Sequence, residues 1–373
     1  MIALGACFLE DQHMSLPDTH QPFLIRACRG QTLARPPVWL MRQAGRYMSE
    51  YQAMRQKYSF LTLCKNVDAA VEVSLQPYKA FGMDAVIMFS DILVIPEAMG
   101  LEVVFTESHG PQLPRPVRTE ADIDALSAPD PHDKIPFVMQ ILKQLRRELA
   151  GDPDTALIGF SGSPWTLATY MIEGGGSKHH IHIKTLMAEN PRALHRLLEM
   201  LSRAVALYLN AQIESGAQVV QLFDTWAGQL SRDQYRRFVL PYHRQVIDSL
   251  HRDQTPVILY VNNSAHLLDL MAEANPDVIS VDHLTALSDA RAKISPGIAL
   301  QGNLDPALLF AKPDTLQASI ESMLAEGGRS GYIANLGHGI LPQTPVENVR
   351  LFVDTVKKSA LKNSEMTGVA GEA

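Results

Sequence analysis

The sequence predicts one α/β domain, a single (β/α)8 TIM-type barrel, and three observations carry that prediction. Short apolar runs recur eight times, helical periodicity fills most of the intervals between them, and each run ends in a polar or glycine-containing turn. Near-continuous apolar runs suit parallel strands buried on both faces. Alternation of strand and helix without a domain break favours closure into one barrel. A doubly wound open sheet is the alternative; the first strand–helix unit lacks GxGxxG, which weakens a dinucleotide-binding version of it.

The expected strands are 38–41 (VWLM), 85–89 (AVIMF), 156–160 (ALIGF), 219–223 (VVQLF), 257–261 (VILYV), 278–281 (VISV), 298–302 (IALQG) and 332–336 (YIANL). Helical periodicity covers 68–81, 134–149, 192–213, 233–251, 265–274 and 316–325. Pro191 and Pro313 stand just before two of these segments, where a missing N–H costs little. The barrel is expected to span 23–361, with an N-terminal extension over 1–22 and a frayed polar tail over 362–373.

At 373 residues, 46% hydrophobic and 20% charged, the chain can bury a full core without staples. Its formal net charge of -7 argues against a general nucleic-acid binder, whose footprint is a basic surface. Cys7, Cys28 and Cys64 form no CxxC pair, so neither a disulfide framework nor a cysteine-rich zinc site is expected. No run approaches the length of a membrane span. The LGAC stretch at 4–7 resembles a lipoprotein cleavage site, yet the apolar segment before it is too short and has no basic flank.

In such a barrel, groups that act on a ligand gather at the C-terminal ends of the strands. Reading just past each run gives Arg42; Ser90 and Asp91; Ser161 and Gly162; Asp224 and Thr225; Asn262; Asp282 and His283; Asn303; and Gly337 and His338. Arg42 and Arg46 bracket Gly45, which disfavours a regular helix and lets backbone approach a ligand. Guanidinium suits bidentate recognition of carboxylate or phosphate, so the pair implies an anionic substrate; a structural salt bridge with Glu50 is the alternative. Asp91 has the chemistry of a base, a metal ligand or a counter-charge to a developing cation, or else of a helix cap, although Pro96 argues against an immediate helix. GFSGSPWTLATYMIEGGGS (159–177) lacks a P-loop lysine and reads as a wall of small residues with one hydroxyl, Tyr170, against a flat ligand, or as a loop after a helix. His179, His180 and His182 lie in KHHIHIK. A strand would put His180 and His182 on one face, but no acidic or cysteine partner is near, so the stretch reads as a solvated loop rather than a zinc site. His338, between two glycines, can fix a carboxylate or carbonyl as a neutral imidazole.

Taken together, PVWLMRQAGRY, GMDAVIMFSDILVIPEAMG, GSPWTLATYMIEGGGS, QLFDTWAG, ALQGNLDP and NLGHGI closely resemble, in order, blocks of the uroporphyrinogen decarboxylase family. The resemblance runs from about Leu24 to Val356. It implies a (β/α)8 barrel, usually a homodimer, that removes CO2 from the four acetate side chains of uroporphyrinogen III to give coproporphyrinogen III, with no metal or organic cofactor; separately, no transit peptide is evident in the sequence, so a cytosolic protein is expected. It assigns the substrate-binding segment to Arg42, Gln43, Ala44, Gly45 and Arg46, the catalytic aspartate to Asp91, and further substrate contacts to Tyr170, Thr225 and His338. Thr225 stands where many members have serine and keeps the hydroxyl. The chain departs from the family around Asn262, at His283 where tryptophan is typical, and in HHIHI where an aromatic residue is common. Two rivals are weighed against this. Related cobalamin- and zinc-dependent methyltransferases need thiolate ligands near the later strands, and this chain has no cysteine after Cys64. A tetrapyrrole-binding module that has lost catalysis would not be expected to keep every site residue.

Overall fold

In the computed structural model, which describes residues 21–106, 110–252 and 255–360, seven parallel strands follow one another around a curved sheet. They are β1 (Ala85–Ile87), β4 (Ala156–Gly162), β5 (Val219–Asp224), β6 (Val257–Val261), β7 (Val278–Ser280), β8 (Ala299–Leu304) and β9 (Tyr332–Leu336), paired in that order. Between β1 and β4 lies a short antiparallel hairpin, β2 (Val104–Thr106) and β3 (Gly110–Gln112), that the sequence did not announce.

The first predicted strand takes a different form. Residues 37–41 contribute a single parallel bridge, Val38 to Ala334, rather than a ladder. They nevertheless lie between the two sheet edges: Ala334 N–H donates to Pro37 O at 2.9 Å and Asp84 N–H to Val38 O at 2.8 Å. This eighth stave completes the circle. Arg35 and Asp84 hold it in register, for the guanidinium makes two bonds to the carboxylate at 2.7 and 2.8 Å while Val38 N–H donates to Asp84 Oδ2 at 2.8 Å.

Alternation along the strands sorts the core into two shells. Val38, Leu40, Val86, Leu157, Val220, Leu222, Leu259 and Ile279 face the surrounding helices. Trp39, Ala85, Ile158, Val219, Ile258, Val278, Ala299 and Ile333 face inward and meet Leu24, Ile25 and Cys28 of the Phe23–Cys28 helix, which plugs the bottom. One layer higher the interior turns polar: Gln301 Oε1 accepts from Trp39 Nε1 at 2.9 Å, and its Nε2 donates to Ser280 Oγ at 3.0 Å and Gln221 Oε1 at 3.2 Å. Above that layer is the mouth.

Among the helices, Pro191–Glu214 buries Leu194, Leu197, Leu198, Leu201, Val205 and Leu209, the stripe its periodicity predicts. The segment expected to be one helix over 233–251 is two, Arg232–Phe238 and Leu240–Asp248, with Pro241 in the first turn of the second. Pro164–Glu173, Ile181–Glu189 and Val346–Lys358 are helices the reading did not identify. No helix among the described residues is long and apolar enough to cross a membrane. The expected extension over 1–22, apart from its last two residues, and the tail over 362–373 lie outside the described residues, as does the LGAC stretch.

Candidate active site

Past the eighth stave the chain turns sharply, and Arg42 takes a left-handed φ of 61°. That conformation costs a residue with a Cβ about 1–2 kcal/mol, and its neighbours hold it. Gln43 is 1% exposed: its Nε2 donates to Ala85 O at 3.1 Å, its Oε1 accepts from Leu40 N at 3.3 Å, and the Tyr47 hydroxyl donates to Gln43 O at 2.6 Å. Expected among the substrate-binding residues, Gln43 therefore has its side chain spent in the barrel wall, anchoring the turn. Ala44 and Gly45 are half-buried beside it. Arg42 and Arg46 are exposed, and neither has an ion-pair partner among the described residues; the alternative salt bridge with Glu50 is not formed.

The Arg42 charge reaches four groups at the mouth. Asp91, just past β1, keeps part of its surface open yet sits deep enough that burial raises its carboxyl above the usual range, against the opposing Leu93 N–H and Arg42 charge. Its Oδ1 accepts from Leu93 N at 2.8 Å, and no described residue bonds its other oxygen. The alternative of a helix cap is thereby half met: the carboxylate closes the turn before the Val94–Ala98 helix, which starts despite Pro96 because that proline falls in its first turn. Tyr170, on the Pro164–Glu173 helix, has its phenol pushed up to about 12, first by burial and then by Asp91, with Arg42 opposing.

His338 follows β9. Its Nδ1 accepts from Gly339 N at 2.7 Å, which leaves the ring proton on Nε2. Burial, then the charges of Arg42 and His283, hold its pKa down to about 4, so at neutral pH it is an uncharged donor. The flanking glycines have a steric reason: a Cβ on Gly339 would overlap Arg42 Cδ, and one on Gly337 would overlap the His283 backbone. The fourth group, Tyr260, packs edge-on against His338 at 6.3 Å and shares its hydroxyl between Asn262 Oδ1 and Gly337 O, both at 3.2 Å. Burial and then Asp282 raise its phenol, with Arg42 opposing. Sequence reasoning missed Tyr260, although its place two residues after inward-facing Ile258 pointed to the mouth.

Thr225 is half-buried beside Trp226, whose ring meets Tyr170 at 5.8 Å, and its hydroxyl has no partner among the described residues. Three other rim candidates are already committed. Asp224 is wholly buried among hydrogen-bond donors. Asp282 accepts from Ser264 N at 3.0 Å and Leu284 N at 2.9 Å, and Asn303 Nδ2 donates to Asp282 O at 2.9 Å and Thr285 O at 2.5 Å. His283 and Asn262, two of the departures, lie at this rim, His283 exposed. The KHHIHIK stretch is corrected: a helix begins at Ile181, His182 is exposed, and His180 is 2% exposed with Nδ1 2.9 Å from Gln229 Oε1, so the two do not share a face and His180 is not solvated. Among the described residues, no three His, Cys, Asp or Glu converge as a metal site would require.

A family model described as uroporphyrinogen decarboxylase (URO-D) matches residues 19–359. The chain is 48% identical over 342 residues to a uroporphyrinogen decarboxylase of Gloeobacter violaceus, covering 91% of this chain and 98% of that protein. It is 46% identical over 340 residues to that of Citrobacter koseri, covering 90% and 96%. Among solved structures, a methyltransferase from Methanosarcina mazei superposes with a TM-score of 0.76 at 22% identity, covering 90% of this chain and 97% of that one, which is a likeness of fold alone.

Proposed function

The chain belongs to the uroporphyrinogen decarboxylase family, and from that premise we propose that its barrel mouth binds uroporphyrinogen III and removes CO2 from the four acetate side chains, yielding coproporphyrinogen III. The enzyme is a carboxy-lyase of tetrapyrrole biosynthesis. One observation carries the assignment of residues: Arg42, Asp91, Tyr170 and His338 meet at one mouth, where the charge of Arg42 acts on the other three.

The chemistry follows from that arrangement. Protonation of the pyrrole α-carbon next to the carbon that bears the acetate makes the ring cationic. The bond to the carboxylate then breaks, its electron pair moves into the ring, and CO2 leaves. The exocyclic methylene takes up a proton to become methyl and the added ring proton is returned, so each CO2 released consumes one proton. Asp91 accepts the pyrrole N–H groups and offsets the cation. Its anion is poorly solvated before reaction, so the positive charge that develops on the ring relieves an existing cost. Arg42 and Arg46, neither paired among the described residues, hold the peripheral carboxylates. Tyr170, Thr225 and the Nε2–H of His338 orient them.

Anaerobic incubation with uroporphyrinogen, followed by chromatographic counting of carboxylates, tests the reading. Four CO2 per tetrapyrrole are expected from the native protein, and Asp91→Asn is expected to lose about two to three powers of ten in rate. Binding without any change in carboxylate number would refute decarboxylation. The barrel is assigned to 23–361, and a cytosolic homodimer fits the family. Exposed Leu284 and Leu341, at 64% and 41% on loops of the mouth side, are the apolar surface that such a dimer would cover. Sedimentation at a single-chain mass would remove the dimer.

A further inference from the structure

The buried carboxylate behind the mouth has more partners than a strand end requires. Asp224 is fully buried at the end of β5 and accepts four hydrogen bonds: from Ser163 Oγ, from Thr166 Oγ1 at 2.7 Å, from His243 Nε2 at 3.0 Å and from Ala227 N at 3.1 Å. Ser163 is the N-cap residue of the Pro164–Glu173 helix and Thr166 lies in its first turn, so two of the bonds hold the element that carries Tyr170. Ala227 N–H closes the turn containing Thr225, and Trp226 N–H crosses to Thr166 Oγ1 at 3.3 Å. Asp224 O in turn accepts from Asn262 N at 3.2 Å, so the peptides on both sides of Thr225 are tied while its hydroxyl has no partner among the described residues. Behind the carboxylate, His243 Nδ1 accepts from the Tyr235 hydroxyl at 3.1 Å, which directs Nε2–H at Asp224; all three side chains are sealed from solvent.

We propose that Asp224 is a positioning residue for the reaction, a single anion that fixes the Tyr170 helix and the Thr225 turn relative to each other and so sets where the two hydroxyls meet the substrate. The inference rests on the decarboxylase reading of the mouth. A carboxylate suits the task because four donors converge and nothing there needs a donor in return. The amide of asparagine keeps one acceptor oxygen and turns two N–H groups toward those donors. Groups that orient others act through small displacements, and a shift of about 1 Å at a reacting group costs about a hundredfold in rate.

The test is a set of double-mutant cycles read in kcat and KM separately. Asp224→Asn and the milder Ser163→Ala, which severs only the helix side, are each combined with Tyr170→Phe and Thr225→Val. Asp224→Asn is expected to lower kcat/KM by about a hundredfold in the native background and by less than about threefold once both hydroxyls are gone, because it then has nothing left to position. Ser163→Ala is expected to couple to Tyr170→Phe and not to Thr225→Val, and it carries the test if Asp224→Asn does not fold. Losses that multiply unchanged through every background overturn the proposal, since a merely structural carboxylate behaves that way. Native turnover is measured alongside, so that absence of any decarboxylation counts against the activity. In that case the crystal structure of Ser163→Ala decides the positioning: a Tyr170 hydroxyl displaced relative to Thr225 upholds it, and unmoved hydroxyls overturn it.

Discussion

At the scale of single residues, the mouth sets charge against solvation. Asp91 ionises in the unfolded chain within the ordinary carboxylate range and in the fold at a higher pH, because burial outweighs the help of Leu93 N–H and Arg42. The folded state therefore binds the proton more tightly. Its stability falls as pH rises from the ordinary carboxylate pKa through the raised one. Thermal melts should show Asp91→Asn more stable than the native protein at neutral pH, with the advantage gone in acid below the carboxylate range, even as turnover is lost. Gly339 supplies a complementary case. Adding one methyl there forces the Arg42 side chain aside, so Gly339→Ala is expected to keep the native unfolding midpoint and to lose about ten- to a hundredfold in kcat/KM. Arg42 and Asp91 were legible in sequence because charged residues at strand ends stand out. The burial of Asp224 and the inward turn of Gln43 were not, since hydrogen bonds from segments remote in sequence decide both.

At the scale of elements, strand and helix alternation was readable wherever apolar runs were long, as at β4, β5 and β6. It failed where the pattern was short or broken. β2 and β3 have three residues each, too few for a period, and Pro241 divides one apparent helix into two. The stave was recognised from its composition as a strand over 38–41, but its form depends on a contact with no sequence signal, the Arg35–Asp84 pair. That pair is mostly buried, and removing one partner of a buried pair leaves the other uncompensated. Asp84→Ala should therefore cost about 3 kcal/mol in urea unfolding. The Val38 N–H is orphaned by the same change, so the Arg42 turn should loosen and KM should rise as well.

Across the whole molecule, the two ends of the barrel have separate duties. The bottom is closed by Leu24 and Ile25 against an apolar interior, whereas the top presents the guanidiniums of Arg42 and Arg46, without ion-pair partners among the described residues, on a protein of formal net charge -7. Long-range repulsion of a polyanionic substrate by the body and short-range attraction by the mouth respond differently to salt, for the screening length falls from about 30 Å at 0.01 M to about 8 Å at 0.15 M. Direct contacts with Arg42 and Arg46 are weakened by added salt, and distant repulsion is suppressed more fully. KM measured across that range should therefore pass through a minimum in the native protein and rise throughout in a variant whose surface acids away from the mouth are neutralised. Steadily falling KM in the native protein would show that the local attraction is minor.

The left-handed turn at position 42 has a consequence for how this sequence can vary. Glycine or asparagine would sit there more comfortably than arginine. A library screened only for heat resistance should drift toward those residues at position 42, and one screened for turnover should return arginine. The two lineages would record, at one codon, the conflict between durability and chemistry.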